Sequence, residues 1–206
     1  NKLNEERLDY KVGYALCLFC GMRRSEVLGL KEQDVNITFG SVTVRNTRHR
    51  IDGDEDIVQD TKTAQSHRTL AVPEFVIRDI DVLIQEHHAN IYNDTDYLIQ
   101  NGFGQPMSPS TFTKYIRIIE DRAGLPHVSV HGLRHTFASM LNSDGVDIAR
   151  ISAELGHSTI GTTFNIYMHV FGDVSASSRG IADSINAKFG DSATFLPPEE
   201  NEKTAE

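Results

Sequence analysis

Residues 131–139 read HGLRHTFAS, and this stretch decides how the rest of the chain is interpreted. On a helix that begins near His131, Arg134 lies three positions further on and His135 four, so a cation and two imidazoles share one side of the helix. That side could hold an anion. The same triplet, taken alone, is equally compatible with an ordinary solvated helix surface. Its function therefore has to be inferred from the residues that accompany it.

Outward from this stretch, the chain has the pattern of a mainly helical protein. Apolar residues recur every three or four positions, and capping residues such as Ser108 and Gly124 mark where helices begin and end. Helices are predicted at residues 5–20, 25–30, 74–89, 109–124, 131–142, 147–155, 159–169 and 174–189.

A smaller part of the chain has the composition of β-strands. Residues 35–44 hold two short strands around a Gly-Ser turn, and residues 67–72 hold a third strand that ends at a proline. The acidic run 52–60 is interpreted as a solvated excursion between strands, and 97–100 as a further short strand. The predicted fold class is mixed α+β, mainly helical, with a small three-stranded antiparallel sheet at one edge.

Composition excludes several classes of protein. The 206 residues include two Cys and are 39% apolar, which suits one large globular domain or two small ones and not a disulfide scaffold. Cys17 and Cys20 lie in an apolar helical run, so core packing is predicted for them in place of metal or redox chemistry. The longest uncharged apolar stretch, 12–22, is about half of the ~20 residues that span a bilayer. Walker and G-x-S-x-G motifs are absent from the sequence.

Charge is strongly segregated along the chain. The net charge of -9 argues at first sight against a nucleic-acid partner. The segment from Asp191 onward contributes -4 of it, with five acids and one lysine, and a basic cluster at 45–50 directly precedes the acidic run 52–60. Local patches decide binding. We expect one globular domain over residues 1–190 and an acidic, disordered tail over 191–206.

A second group of charged residues lies near the N terminus, where GMRRSE (21–26) opens a predicted helix. The N–H groups and dipole of a helix start favour an anion, so Arg23 and Arg24 could hold a phosphate there. An internal pair between one arginine and Glu26 is the commoner arrangement. Tyr167 lies among apolar residues, where a tyrosine by itself is usually structural.

Together these residues occur in a specific order. An arginine with a glutamate three residues on is followed by a lysine in a β-hairpin, then H-x-x-R, then G-H, then a tyrosine ten residues after that histidine. In this order, and in the blocks HGLRHTFAS and LGHSTIGTTFNIYMHV, residues 8–171 resemble the catalytic domain of tyrosine recombinases, the lambda-type integrase family, and most of all integrases of prophages and conjugative transposons. By this resemblance the catalytic residues are Arg23, Lys62, His131, Arg134, His157 and the nucleophile Tyr167, with Glu26 in support.

The resemblance implies a site-specific recombinase that cleaves and rejoins DNA through a covalent 3'-phosphotyrosyl intermediate, for integration or excision of a mobile element. Guanidinium groups suit this reaction, because each binds two phosphate oxygens at once and stays charged. Lys62 would protonate the leaving 5'-oxygen, whereas the division of proton transfer between His131 and His157 stays open. A phosphotyrosine link stores the energy of the broken bond, so no cofactor and no metal are expected.

The implied partners are double-stranded DNA, further copies of the chain in a homotetramer, and an accessory directionality factor. Because the chain begins at Asn1, we expect that the helical core-binding domain of the family precedes it and is missing here. Helix 174–189 would dock onto a neighbouring protomer or pack in cis. A bacterial cytoplasmic location without membrane contact is expected. The predicted contacts to the DNA backbone are Arg24, Arg45, Arg48, Arg50, Lys114 and Arg117.

Two other classes of function stay open. A metal-dependent hydrolase could use His131, His135, His157 and His169, since the first two have the i, i+4 spacing of metal ligands. The sequence has no H-E-x-x-H glutamate to support it, and Arg134 between two ligands would repel a metal. A non-catalytic DNA-binding protein with a recombinase fold would bind specific DNA without forming a covalent adduct.

Overall fold

The computed structural model of the chain describes residues 7–50, 56–60 and 67–157. These residues belong to the first of the two units into which the chain divides, Asn1–Asn165. The predicted helices beyond residue 157, the predicted acidic tail and the proposed boundary between domain and tail lie outside the described residues.

Six α-helices make up most of the described structure, and their ends carry the caps that the sequence predicts. Ser108 accepts a hydrogen bond from the Thr111 N–H, and Gly124 ends the same helix in the left-handed conformation, with φ of 68°. Each helix predicted within the described residues is confirmed. None of these helices is long and apolar enough to cross a membrane. They are α1 (Leu8–Phe19), α2 (Arg24–Gly29), α3 (Glu74–Ala89), α4 (Pro109–Ala123), α5 (Val130–Ser143) and α6 (Ile148–Leu155), with a 3-10 turn at Glu32–Asp34.

The predicted three-stranded antiparallel sheet is present. β1 (Val35–Asn36) pairs with β2 (Ser41–Val44), and β2 pairs on its other side with the strand numbered β5 (Arg68–Ala71). Successive side chains of a strand point to opposite faces. Arg68 therefore lies on the same face as Leu70, which is buried against the core.

The structure contains a second, two-stranded sheet that was not predicted. The interpretation of residues 52–60 as a solvated excursion is wrong for its second half, because β4 (Asp56–Asp60) pairs antiparallel with β3 (Asn46–Arg50). Ladder hydrogen bonds join backbone groups whatever the side chains are, so a polar two-stranded ribbon leaves little trace in composition. The strand predicted at 97–100 forms isolated bridges instead of a ladder.

Helix α1 is the centre of the hydrophobic core and packs against α2, α3, α4 and α5. Val12, Leu16 and Cys17 on this helix are fully buried, and Cys20 just after it is buried as well. The prediction that both cysteines are core residues is confirmed. This packing places the turn after α1 against α5 and the end of α6, where the predicted site residues meet.

Candidate active site

The turn between α1 and α2 positions Arg23 and Glu26. Gly21 has a φ of 61°, and a Cβ at this position would lie 2.4 Å from a ring carbon of Phe137, so only glycine fits between the helix end and α5. Arg23 then caps α2, and its backbone N–H donates to Glu26 Oε2 at 2.8 Å. The two residues are therefore held at one helix start.

Glu26 is the centre of a buried ion-pair network. The residue is 2% exposed. Its Oε1 accepts hydrogen bonds from Arg23 Nη1 at 2.7 Å and Arg68 Nη1 at 3.0 Å, and its Oε2 accepts from the Arg23 backbone and from Arg68 Nη2 at 2.9 Å. Burial raises the pKa of Glu26, but the hydrogen bonds and charges of the two arginines outweigh it and hold the pKa at about 2. The carboxylate is therefore ionised at neutral pH.

Arg134 brings a buried positive charge to the same place. It is 1% exposed. Its Nη1 donates to the carbonyl of Gly21 at 2.7 Å, and its Nη2 donates to the carbonyl of Leu155. Glu26 Oε2 lies further away, 3.9 Å from Arg134 Nη1. Neutral carbonyls fix the guanidinium in place without cancelling its charge.

Histidines lie close to these arginines. His131 and His135, one turn apart on α5, contact each other edge to face with ring centroids 4.6 Å apart. Burial and the charges of Arg134 and Arg23 lower the pKa of His131. Burial and the same two arginines lower the pKa of His157 to about 4. Both imidazoles are therefore neutral at neutral pH, the form that accepts a proton.

A cleft of about 390 Å³ opens on this group of residues. Among the residues that the structure describes, no Asp or Glu side chain lines it, whereas three arginines and two histidines do. Such a lining suits an anion with several oxygen atoms, such as a phosphodiester. The cleft is lined by Arg23, Arg24, Ser25, His49, Thr113, Ser129, Val130, His131 and Arg134.

The fold brings predicted site residues together from distant parts of the chain. Arg23 Nη2 donates to the carbonyl of Gly156 at 3.4 Å, so the start of α2 contacts the residue before His157. Lys62 and Tyr167 lie outside the described residues, and their roles stay predictions. The predicted residues that the structure brings together are Arg23, Glu26, His131, Arg134 and His157.

Most of the predicted DNA-backbone contacts that the structure describes lie on the surface. Arg24 is exposed at the start of α2, Lys114 and Arg117 are exposed on α4, and Arg45 is exposed between β2 and β3. The side chain of Arg50 is not among those described. These positions are compatible with phosphate contacts, which stay a prediction.

Arg48 is the exception among these contacts. It is 5% exposed, its Nη1 donates to the carbonyl of Met107 at 2.9 Å, and its guanidinium carbon lies 5.3 Å from the ring centroid of Tyr97. A side chain enclosed in this way does not reach a DNA phosphate, so the predicted DNA contact of Arg48 is wrong. Its guanidinium instead makes a cation–π contact with an aromatic ring inside the protein.

Sequence reasoning missed one residue of the site, Arg68. Its guanidinium binds both oxygens of Glu26 and, through Nε, the carbonyl of Glu154 at 3.0 Å. The sequence could have revealed this role, because side chains alternate along the strand predicted at 67–72 and Arg68 therefore shares a face with Leu70. An arginine on a buried strand face requires an acidic partner.

The alternative metal site gains no support from the described part of the chain. Within residues 7–50, 56–60 and 67–157, no three His, Cys, Asp or Glu side chains lie where they could hold one ion. His169, the fourth ligand of that hypothesis, lies outside these ranges. The described histidines of the hypothesis face arginines, which favour an anion over a cation.

Comparison with known proteins identifies the family of the chain. The family model described as "Phage integrase family" matches residues 2–172. This chain belongs to the phage integrase family. The resemblance drawn from the sequence blocks is therefore confirmed at the level of the family.

Two relatives in the phage integrase family align with most of this chain. A protein named "Tyrosine recombinase XerC-like" from Caldanaerobacter subterraneus subsp. tengcongensis is 30% identical over 181 residues, which are 78% of this chain and 45% of that protein. Transposase A from transposon Tn554 of Staphylococcus aureus is 31% identical over 153 residues, which are 73% of this chain and 40% of that protein. The chain thus spans less than half the length of either relative.

A solved structure shows the same fold. The Tn1549 transposon integrase, in complex with transposon right end DNA, superposes with a TM-score of 0.74 over 88% of this chain and 61% of that one, at 20% identity. At this identity the likeness concerns the fold alone. It confirms the predicted fold class, a mainly helical α+β recombinase domain with a small antiparallel sheet.

Proposed function

We propose that this chain is the catalytic domain of a site-specific DNA recombinase. It would cleave and rejoin DNA strands through a covalent 3'-phosphotyrosyl intermediate, for integration or excision of a mobile element. The observation that carries the proposal is the cleft in which Arg23 and Arg134, 111 residues apart, meet beside His131. The relatives named tyrosine recombinase and transposase support it.

The ion-pair network leaves positive charge available for a phosphate. Arg23, Arg68 and Arg134 place three positive charges around the single carboxylate of Glu26. Attack by an oxygen nucleophile adds negative charge to the non-bridging oxygens of a phosphodiester, so fixed cations lower the barrier. By analogy with oxyanion donors, each positioned cation is worth about 3 kcal/mol, or roughly a hundredfold in rate.

The neutral histidines supply the proton acceptor that the reaction needs. A tyrosine phenol ordinarily has a pKa of about 10, so only about one molecule in a thousand is ionised at neutral pH. In the proposed step, the Tyr167 oxygen bonds to phosphorus while the bond to the 5'-oxygen breaks. The phenolic proton passes to His131 or His157, and Lys62 protonates the departing 5'-oxygen. Rejoining is the reverse of this step, which is why it needs no further source of energy.

Partners and organisation follow from the same proposal. We propose double-stranded DNA as the substrate, a homotetramer in the synaptic complex and an accessory directionality factor, in a bacterial cytoplasm. Exposed Arg24, Lys114 and Arg117 would contact phosphates that flank the cleft. Residues 1–190 would form the catalytic domain, and 191–206 an acidic tail.

Covalent capture tests the proposal. The full-length protein that contains this chain is incubated in EDTA with nicked duplexes from the ends of the source element, and adducts are separated on a denaturing gel. We expect an adduct with the wild type and none with Tyr167→Phe. Tyr92→Phe, at an exposed tyrosine between α3 and α4, is the matched control and should form the adduct normally.

Three outcomes would contradict the proposal or part of it. An adduct that survives Tyr167→Phe would show that another residue is the nucleophile. Specific DNA binding without any adduct would favour the non-catalytic class. Strand cleavage that occurs only when EDTA is left out would favour the metal-dependent hydrolase.

A further inference from the structure

One guanidinium group connects three parts of the candidate site. Arg68 is the first residue of β5, and its side chain is 9% exposed. Its Nη1 and Nη2 bind the two oxygens of Glu26 on α2, at 3.0 and 2.9 Å, and its Nε donates to the carbonyl of Glu154 on α6, at 3.0 Å. Arg68 does not line the cleft as far as the described residues define it.

Through Glu26, Arg68 is connected to the Arg23 guanidinium. Each oxygen of Glu26 accepts one hydrogen bond from Arg68 and one from Arg23. The fork of Arg68 fixes the plane of the carboxylate, because two parallel hydrogen bonds allow one orientation. Arg23, whose side chain is 38% exposed at the cleft, is then held by Oε1 at 2.7 Å.

Through the last turn of α6, Arg68 is also connected to the backbone just before His157. The carbonyl of Glu154 belongs to the last turn of the helix, where carbonyls have no partner within the helix. Gly156 follows with a φ of 63°, and a Cβ on it would lie 2.9 Å from Arg68 Nη1. The absence of a side chain at Gly156 therefore lets Arg68 lie against the backbone that carries His157.

We propose that Arg68 is a positioning residue for the recombinase reaction. It would hold Arg23, through Glu26, and His157, through the end of α6, in one arrangement around the phosphate. The inference rests on the proposed function, although the contacts that carry it do not. A lysine could not replace Arg68, because a single ammonium group cannot bind both carboxylate oxygens and a carbonyl in this planar geometry.

The first test separates DNA binding from cleavage in the full-length protein. We expect Arg68→Gln to slow single-turnover cleavage by about a hundredfold, the effect of misplacing a catalytic group by about 1 Å. DNA affinity should change by less than about threefold, because Arg68 does not face the cleft. Arg78→Gln, which removes an exposed arginine of α3, is the charge-matched control and should cleave normally. Wild-type cleavage by Arg68→Gln would overturn the proposal.

Arg68→Lys is a second variant for the case in which Arg68→Gln does not fold, because lysine retains the charge and one hydrogen bond. We expect it to unfold near the wild-type temperature yet to cleave at least about tenfold more slowly. Combining Arg68→Gln with Glu26→Gln should slow cleavage by less than the product of the two single effects, since both act on Arg23 and only the contact with Glu154 belongs to Arg68 alone. Fully multiplicative effects, or normal cleavage by Arg68→Lys, would contradict the proposal.

A second measurement needs no catalysis, so it also decides the case in which the wild type forms no adduct and the proposed function fails. The His157 ring is titrated by NMR in the wild type and in Arg68→Lys, which keeps the positive charge, so that a change in the pKa of His157 reports a displaced ring. We expect its pKa to rise in the variant, although Arg134, Arg23 and His131 still face it. An unchanged titration of His157 would show that Arg68 does not position this residue.

Discussion

Glu26→Gln is expected to lower the free energy of unfolding by about 3 kcal/mol at neutral pH. The pKa of the carboxyl is about 2 in the fold against 4.5 ordinarily, and a pKa that is lower by one corresponds to about 1.4 kcal/mol. Glutamine keeps the shape of the side chain and removes its charge, which leaves the nearly buried guanidinium of Arg68 and that of Arg23 without their carboxylate. Breaking a buried ion pair commonly costs this much.

The penalty should depend on pH in a defined direction. A carboxyl whose pKa is lower in the folded than in the unfolded protein binds fewer protons when folded. Its contribution to stability is therefore complete above about pH 4.5 and is lost as the pH falls towards 2. At about pH 3 the wild type has lost most of it, so Glu26→Gln should cost roughly 1 kcal/mol there.

Urea unfolding of both proteins, followed by circular dichroism at the two pH values, measures this difference. Glu86→Gln, at an exposed position of α3, is the control and should change stability by less than about 0.5 kcal/mol. A cost for Glu26→Gln below about 1 kcal/mol at neutral pH, or an equal cost at both pH values, would refute the account of the network.

Two further predictions concern the residues around α6. Single-turnover cleavage should stay level as the pH falls through 6.5 and decline only at lower pH, because the pKa of both candidate proton acceptors is lowered, that of His157 to about 4. A decline centred near 6.5 would contradict a role for either histidine as the proton acceptor. Gly156→Ala should lower the Tm more than Gly124→Ala, since both glycines have positive φ but only a Cβ at 156 meets Arg68. Equal losses of Tm in scanning calorimetry would contradict that reasoning.

Local signals in the sequence were sufficient for most of the architecture. A helix start needs an acceptor for its first N–H groups and a helix end needs a left-handed residue, so Ser108 and Gly124 mark α4 before any tertiary contact is known. The grouping of Arg23, His131, Arg134 and His157 was also predictable, through the resemblance of the blocks that contain them. The strand β4 was not, because its composition is that of a solvated loop.

The sequence alone does not show which of the arginines are buried. Arg48 stands in polar surroundings in the sequence and does not differ visibly from the exposed Arg45, whereas Arg68 is set apart only by the alternation of its strand. In the fold, Arg48 packs against the ring of Tyr97, and Arg68 lies between Glu26 and the end of α6. Whether an arginine faces a phosphate or stabilises the core depends on which long-range partner packs against it.

By itself, the sequence determined the helices, the three-stranded sheet, the membership of the phage integrase family and the residues that could bind a phosphodiester. These follow from periodicity, capping and motif order, which are local properties of the chain. Only the tertiary structure decided that Glu26 is shared between Arg23 and Arg68, that Arg134 keeps its charge among carbonyls, and that Arg48 is a core residue. The physical reason is that burial, pKa and ion pairing are set by groups that are distant in sequence and adjacent only after folding.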